Sequence, residues 1–271
     1  MTPNFKVSHA NYSVFKFPSG ELQVTLDSSN FHHTMRISGS ILSSDHLMEL
    51  LQLVEVLYHT YTTLYLEIVL PYCAYSRQDR RCNRGEAFSL KVFANLINSC
   101  NFTKVITYDN HSDVSTALIN NCHNLPVKHL LLDRRRELNL QQYSYFVSPD
   151  AGSNKKVFEC AKLLHKPIIR ADKLRDTSTG AIIDTQVFAT SEQLKSSTIL
   201  IIDDICQGGR TFEELAKAIK AIEPTCEIHL YVTHGFFNAG FDKMQEAGIS
   251  KFYTTDSVPQ VHTCSELAVL P

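Results

Sequence analysis

A chain of 271 residues, 44% hydrophobic and 20% charged, carries enough apolar residue for one large or two small α/β domains and too much for a disordered segment. A formal net charge of -2 gives no overall field to attract nucleic acid, and no apolar run reaches the roughly 18 residues a membrane span needs. Met1 is followed by no signal-peptide apolar core, and the eight cysteines are dispersed without a C-x-x-C pair, so the expectation is a soluble, cytoplasmic protein with reduced thiols and neither zinc nor a disulfide framework.

Taken in order, Tyr12–Phe17 alternates like a strand and stops at Pro18-Ser19-Gly20, with Glu21 just past the turn. Leu22–Leu26 and Met35–Ile41 supply further strands. Ser44 and Asp45 are placed to cap a helix reaching about Tyr61, on which Leu47, Leu50, Leu51, Val54 and Leu57 share one face. Tyr65–Leu70 reads as a buried strand delivering the polar loop Pro71–Arg81, which holds Arg77, Gln78, Asp79, Arg80 and Arg81. Guanidinium groups collected at the carboxyl end of a parallel strand suit a polyphosphate, and a solvated turn is the plain alternative. A helix over Glu86–Cys100 and a strand over Lys104–Tyr108 lead to Asp109-Asn110-His111-Ser112-Asp113. A histidine between two acids fits a Mg²⁺ or phosphate site, and taken by itself the triplet fits a hydrogen-bonded structural histidine better.

After a hairpin-like Asn124–Lys128 and the basic run Arg134–Arg136 the pattern restarts. Tyr145–Val147 is a strand, Ser148-Pro149-Asp150-Ala151-Gly152 a turn, and Ser153–Leu164 a helix. Pro167–Arg170 is a strand that delivers Asp172-Lys173-Leu174-Arg175 into a polar stretch ending at Gly180, with the composition of a mobile lid. Ile182–Phe188 follows as a strand. Next, Ile199–Ile202 run into Asp203 and Asp204, then Gly208-Gly209 and an amphipathic helix over Phe212–Ile222. At such a strand-turn-helix the first helical N–H groups lack intrahelical partners, so an anion fits there; the glycines allow close backbone approach and Thr211 adds a hydroxyl. The two aspartates suit vicinal sugar hydroxyls, which points to a phosphorylated ribose. On its own the same pattern also fits a loop merely opened by acids and punctuated by glycine. Glu227–Thr233, a helix from Ala239 and Lys251–Thr254 complete the chain. Strand and helix alternate twice over, which suggests two α/β halves, 1–135 and 136–271.

These segments together resemble the ribose-phosphate pyrophosphokinase family, which makes phosphoribosyl pyrophosphate, over nearly the whole chain. Phe17-Pro-Ser-Gly-Glu21 resembles the family's F-S-D-G-E loop, Pro71–Arg80 its P-Y-x-x-Y-A-R-Q-D-R segment and Asp109-Asn-His111 its D-L-H. Ser148-Pro-Asp150 matches S-P-D, Lys173-Leu-Arg175 matches K-x-R, and Asp203–Thr211 falls on D-D-x-x-D-T-G-G-T. The resemblance implies two phosphoribosyltransferase-type (type I) domains, each a mainly parallel sheet flanked by helices. It implies an ATP site at Arg77, Gln78, Asp79 and His111, with Phe17 and Glu21 reaching the adenine site of a neighbouring subunit in a dimer or hexamer. It implies Mg²⁺ held from His111 and Asp150, a catalytic role for Lys173, Arg175 and His111, and a ribose-phosphate loop of Asp150, Asp203, Asp204, Cys206, Gln207, Gly208, Gly209, Arg210 and Thr211.

The departures from the family pattern are specific. Gln207 stands where the family has a third acid and Arg210 where it has glycine, which shifts the loop by two charge units toward anions; Ser19 replaces an aspartate in the adenine loop. The expected activity is transfer of the β,γ-diphosphate of ATP to ribose 5-phosphate. ADP-ribose is the alternative acceptor, with Arg210 on its second phosphate, and a non-catalytic regulatory relative is the alternative of another class.

Overall fold

The computed structural model of the chain describes residues 1–30, 32–175 and 182–271, and of 28, 29, 174, 175 and 182–184 the backbone alone. The chain divides into two compact units, Met1–Leu125 and Pro126–Pro271. The division precedes the boundary expected at 135, because Val127 and Leu131 bury in a core with Tyr143, Phe146 and Val157 of the second unit.

The first unit is a sheet in the order β3 (Leu22–Ser29), β2 (Ala10–Lys16), β1 (Lys6–Val7), β4 (Thr34–Ser38), β5 (Tyr65–Leu70), β6 (Lys104–Tyr108), β7 (Cys122–Leu125). Strands β4 to β7 are parallel, and β1 is antiparallel to both β4 and β2. Strand β2 therefore runs in the direction of β4, so its carboxyl end lies at the same edge of the sheet as those of β5 and β6. The connections carry α1 (Ser44–Thr60), α2 (Ser89–Ser99) and α3 (Asp113–Leu118). One core joins Leu50, Leu53 and Leu57 of α1 and Phe93 and Ile97 of α2 to Ile37, Leu66 and Ile68. Strand β5 alternates accordingly, with Leu66, Ile68 and Leu70 buried and Tyr65 exposed. The cap of α1 is Ser43, one residue before the expected position, and its hydroxyl accepts from the His46 N–H at 3.2 Å. The expected hairpin-like stretch Asn124–Lys128 is instead the end of the parallel edge strand β7, Pro126 and the start of α4 (Val127–Asp133).

The second unit is ordered β10 (Ile182–Val187), β9 (Ile168–Arg175), β8 (Tyr145–Ser148), β11 (Thr198–Cys206), β12 (Glu227–Gly235), β13 (Ile249–Thr255), β14 (Leu267–Leu270). Only the β9–β10 pair is antiparallel among the described strands. Helix α5 (Asn154–Leu164) links β8 to β9 on one side, α6 (Ser191–Leu194) precedes β11, and α7 (Arg210–Ile222) and α8 (Asp242–Glu246) follow β11 and β12 on the other. The strand order thus reverses between β8 and β11. Two cores result: Val147, Ile199, Ile201, Phe212 and Leu215 pack beneath α7, and Phe146, Leu200, Ile202, Val157 and Cys160 beneath α5.

Candidate active site

In an open α/β sheet a ligand binds outside the carboxyl ends of the strands where the order reverses. In the second unit that point lies between β8 and β11, and the residues delivered there are Asp150, two positions past β8, and Asp203 and Asp204, near the end of β11. Alternation separates the two adjacent aspartates. Asp203 follows Ile199 and Ile201 onto the α7 face, and Asp204 follows Leu200 and Ile202 onto the α5 face.

Each face supplies a cation. Lys173 Nζ lies 2.7 Å from Asp150 Oδ2 and donates to Thr211 Oγ1 at 3.2 Å, so one buried ammonium ties β9, the loop after β8 and the first turn of α7 together. On the other face Lys156, in the first turn of α5, reaches Asp204 Oδ2 at 3.3 Å. Asp150 also accepts the Ser153 N–H at 3.0 Å, and Ser148 and Ser153 hydroxyls meet at 2.8 Å. Burial pushes the Asp150 carboxyl up, and the Lys173 ammonium with the Ser153 donors more than offsets this, holding it below the usual carboxylate range. Asp203 moves the opposite way. Burial, then the charges of Asp204 and Asp150, push it well above the ordinary value.

The turn between β11 and α7 has the form of an anion cradle. Gly209 caps α7 with φ +79°, and a Cβ there would meet Met244 Sδ at 2.8 Å, so both backbone and packing require glycine. A Cβ on Gly208 would meet nothing within 4 Å, so that face of the turn is open. Phe212 and Glu213 N–H groups are used by the Gly209 carbonyl, at 2.9 and 3.0 Å. The N–H groups of Gly208, Arg210 and Thr211 have no protein acceptor among the described residues, which leaves three donors for an anion. Cys206 is packing rather than chemistry: it is buried, and burial pushes its thiol up to about 12. Gln207 and Arg210 are exposed, and Glu213, a candidate partner for Arg210, pairs with Lys217 at 2.6 Å.

One sequence expectation on this unit changes. Lys173 sits within strand β9 with its side chain 5% exposed, so it belongs to the rigid part of the site and not to a polar lid. The rest of the expected lid stretch, as far as Gly180, and the Arg175 side chain lie outside the described residues. Lys156 escaped sequence reasoning; the one local signal is a lysine in the first turn of a helix, where the dipole disfavours a cation and another reason for its presence is to be sought.

In the first unit the Arg77 loop follows β5, and Asp109-Asn110-His111 follows the adjacent parallel strand β6, so both open at one edge. The loop is anchored from beneath by buried Cys73, Ala74 and Ser76, and by Tyr75, which holds φ +61° with its ring 5.6 Å from Phe93. This turns Arg77 and Gln78 to the exterior and leaves Asp79 half-buried. Asp109, at φ 39°, donates its N–H to the Leu125 carbonyl at 2.8 Å, and Asn110 N–H donates to Asn124 at 3.0 Å, so β7 fixes the segment that presents an exposed His111. At the same sheet edge the β2–β3 hairpin turns through Phe17–Glu21, closed by the Phe17 N–H to Glu21 carbonyl bond at 2.8 Å and by Gly20 at φ +96°. Phe15 and Phe17 are exposed at its tip, edge to face at 4.9 Å. From β2 to β5 is three inter-strand steps, about 14 Å.

Helix α1 grips this hairpin along one polar stripe. Asp45 pairs with Lys16 at 2.5 Å, buried Glu49 accepts the Tyr12 hydroxyl and the Asn4 N–H at 2.7 Å each, and Gln52 bonds the edge strand at Val24 N–H (2.9 Å) and Leu22 carbonyl (2.8 Å).

Comparison with known proteins agrees with both units. A family model for the N-terminal domain of ribose phosphate pyrophosphokinase matches residues 2–100, and one for the phosphoribosyl transferase domain matches 130–263. The ribose-phosphate pyrophosphokinase of Thermosipho africanus is 26% identical over 269 residues, covering 96% of this chain and 82% of the relative. Ribose-phosphate pyrophosphokinase 1 of Listeria monocytogenes is 29% identical over 254 residues, covering 91% and 77%. The crystal structure of phosphoribosylpyrophosphate synthetase from Mycobacterium smegmatis shares the fold with a TM-score of 0.82 over 96% of this chain and 86% of that one, at 21% identity. With both halves matched by the family's domains, in chain order, the chain belongs to the ribose-phosphate pyrophosphokinase family.

Proposed function

We propose that this chain, an enzyme of the diphosphotransferase type, transfers the β,γ-diphosphate of ATP to the anomeric hydroxyl of ribose 5-phosphate, giving phosphoribosyl pyrophosphate and AMP. The observation that carries this reading is the bonded network at the switch point, where Asp150, Lys173, Thr211, Asp203, Asp204 and the open turn at Gly208 meet. The free N–H groups of Gly208, Arg210 and Thr211 take the 5-phosphate, and Asp203 and Asp204 take the ribose hydroxyls. The anomeric oxygen attacks the β-phosphorus, the bond to the oxygen bridging the α- and β-phosphates breaks, AMP leaves with that oxygen, and the hydroxyl proton passes to solvent. Such a displacement between anionic groups is accelerated chiefly by positioning and charge neutralisation. Lys173, buried beside Asp150, is the fixed cation for the transferring phosphates, and Arg175 is the second. Arg77 and Gln78, with Asp79 behind them, receive ATP.

For Mg²⁺, Asp150 offers the ionised hard oxygen that the ion takes, and the exposed His111 imidazole is the less usual donor. No grouping of three or more His, Cys, Asp or Glu forms a cage among the described residues. That suits an ion commonly held by one or two carboxylates and by substrate phosphates. When bound it neutralises phosphate charge; the ribose is held by the chain's own residues. The Phe15 and Phe17 tip, some 14 Å from β5 in its own sheet, completes the adenine site of a second subunit, so the working form is a homo-oligomer. The test is release of AMP from ATP and Mg²⁺ with ribose 5-phosphate as acceptor; no release with the assembled protein overturns the reading.

Exposed Arg210 beside the open Gly208 favours one second reading, in which the acceptor is ADP-ribose and the guanidinium meets its additional phosphate.

A further inference from the structure

We propose that Lys156 is a positioning residue of the acceptor site: from the first turn of α5 its ammonium holds the Asp204 carboxylate in the one orientation that receives the ribose hydroxyls. The inference rests on the ribose-phosphate reading of the loop that follows β11. It starts from the alternation along β11, which sends Asp204 to the α5 face while Asp203 goes to the α7 face with Lys173 and Thr211. Asp204 is 5% exposed, and a carboxylate buried to that degree calls for a paired cation on its own face. Lys156 reaches it at 3.3 Å with a side chain only 25% exposed.

Helix stability gives no reason for this lysine. A cation among the first residues of a helix opposes the dipole, and no acidic residue stands in the first turn of α5 to compensate. Val157 and Cys160 of the same helix are fully buried, so the helix position is set by packing and the ammonium is delivered to a fixed point. The consequence is a division of labour between the lysines. Lys173 serves the phosphates, and Lys156 serves the sugar.

The test compares wild type with Lys156→Met and Lys156→Arg, measuring acceptor KM and kcat at saturating ATP and Mg²⁺, and the Kd of ribose 5-phosphate by calorimetry without ATP. The expected result is an acceptor KM and Kd raised roughly 10- to 100-fold in the methionine variant, with kcat within about threefold and most of the loss recovered by arginine, the pattern of one lost charge-assisted contact made in the ground state. Unchanged KM and Kd, or a kcat loss that arginine does not recover, would overturn the proposal. Should the methionine variant lose its cooperative melt, Asp204→Asn removes the other half of the pair without altering α5, and an unaltered acceptor Kd in that variant overturns it as well. A wild type that binds ribose 5-phosphate without releasing AMP sinks the activity reading and leaves the Lys156 comparison decisive in the binding arm; a wild type that neither binds nor turns over sinks both.

Discussion

Lys173 Nζ stands 2.7 Å from Asp150 Oδ2, an ion pair in which the lysine is almost wholly buried and the aspartate a third exposed. The pair is built into strand β9 and the loop after β8, two framework elements of the sheet. Lys173→Ala is expected to leave the fold intact, because the freed Asp150 keeps water and the Ser153 N–H, and to lower kcat by about 10²-fold or more as the fixed positive charge is lost. Steady-state AMP release and a thermal melt of the same preparation check both halves, and a variant that retains wild-type kcat would remove Lys173 from the chemistry.

His111 is exposed, and the backbone that presents it is held by Asp109 and Asn110. His111→Ala is therefore expected to melt within a few degrees of wild type while losing nearly all activity. A large fall in Tm with activity per folded molecule preserved would mark the histidine as structural.

The hairpin tip predicts a concentration dependence. Phe15 and Phe17 are 57% and 44% exposed, far above what a core aromatic shows, and their replacement by serine costs the isolated unit little. In sedimentation the double variant is expected to shift toward monomer, with AMP release falling in parallel; a monomer fully active at high dilution refutes the shared site.

Arg210 decides the acceptor. If it meets a second phosphate, Arg210→Gly lowers kcat/KM for ADP-ribose by roughly 10- to 100-fold, a charge-assisted contact of ~1.5–3 kcal/mol, and leaves ribose 5-phosphate unaffected or better used. Glu213 is already bonded to Lys217, so a surface pair that would mask the effect is not in place. An equal change for both acceptors ends the second-phosphate idea.

At the opposite end of β12, His229 is buried with Nδ1 2.9 Å from the Tyr143 hydroxyl and Nε2 2.9 Å from Glu227, with Lys251 and Tyr253 also facing it. The network assigns the ring proton to Nε2, so that Tyr143 donates and Glu227 accepts. Burial lowers the His229 pKa, only partly opposed by Glu227. Since the unfolded chain then binds more protons than the folded one, stability falls as pH drops below about 6.5 and keeps falling to the depressed folded value. Urea unfolding at stepwise pH is expected to show this loss in wild type and a smaller one in His229→Gln; identical slopes would exclude the histidine as its source.

Much of this architecture is legible in the residues. Tyr65–Leu70 and Lys104–Tyr108 are strands with the bounds that their apolar runs and flanking breakers indicate, and the acid-rich end of β11 announces an anion turn. What escaped is short or non-local. Strand β7 has four residues with a histidine and an asparagine among them, and Pro126 reads as a turn although it opens a helix that buries Val127 and Leu131. The polar composition of Asp172–Arg175 suggests a lid because nothing local reveals that Lys173 Nζ finds partners 23 and 38 positions away in sequence. Lys156 and Asp204, 48 apart, are hidden for the same reason.

The alternation at Asp203 and Asp204 gives the site two independent foundations. Two consecutive carboxylates at the switch point are seated on different hydrophobic layers, the first above Phe212 and Leu215 and the second above Val157 and Cys160. A substitution that loosens one layer tilts one carboxylate and spares its neighbour. Drift in either half of the interior is thus read out at the crevice as a change in the spacing of the two carboxylates, and the sheet itself becomes the ruler that keeps them in register.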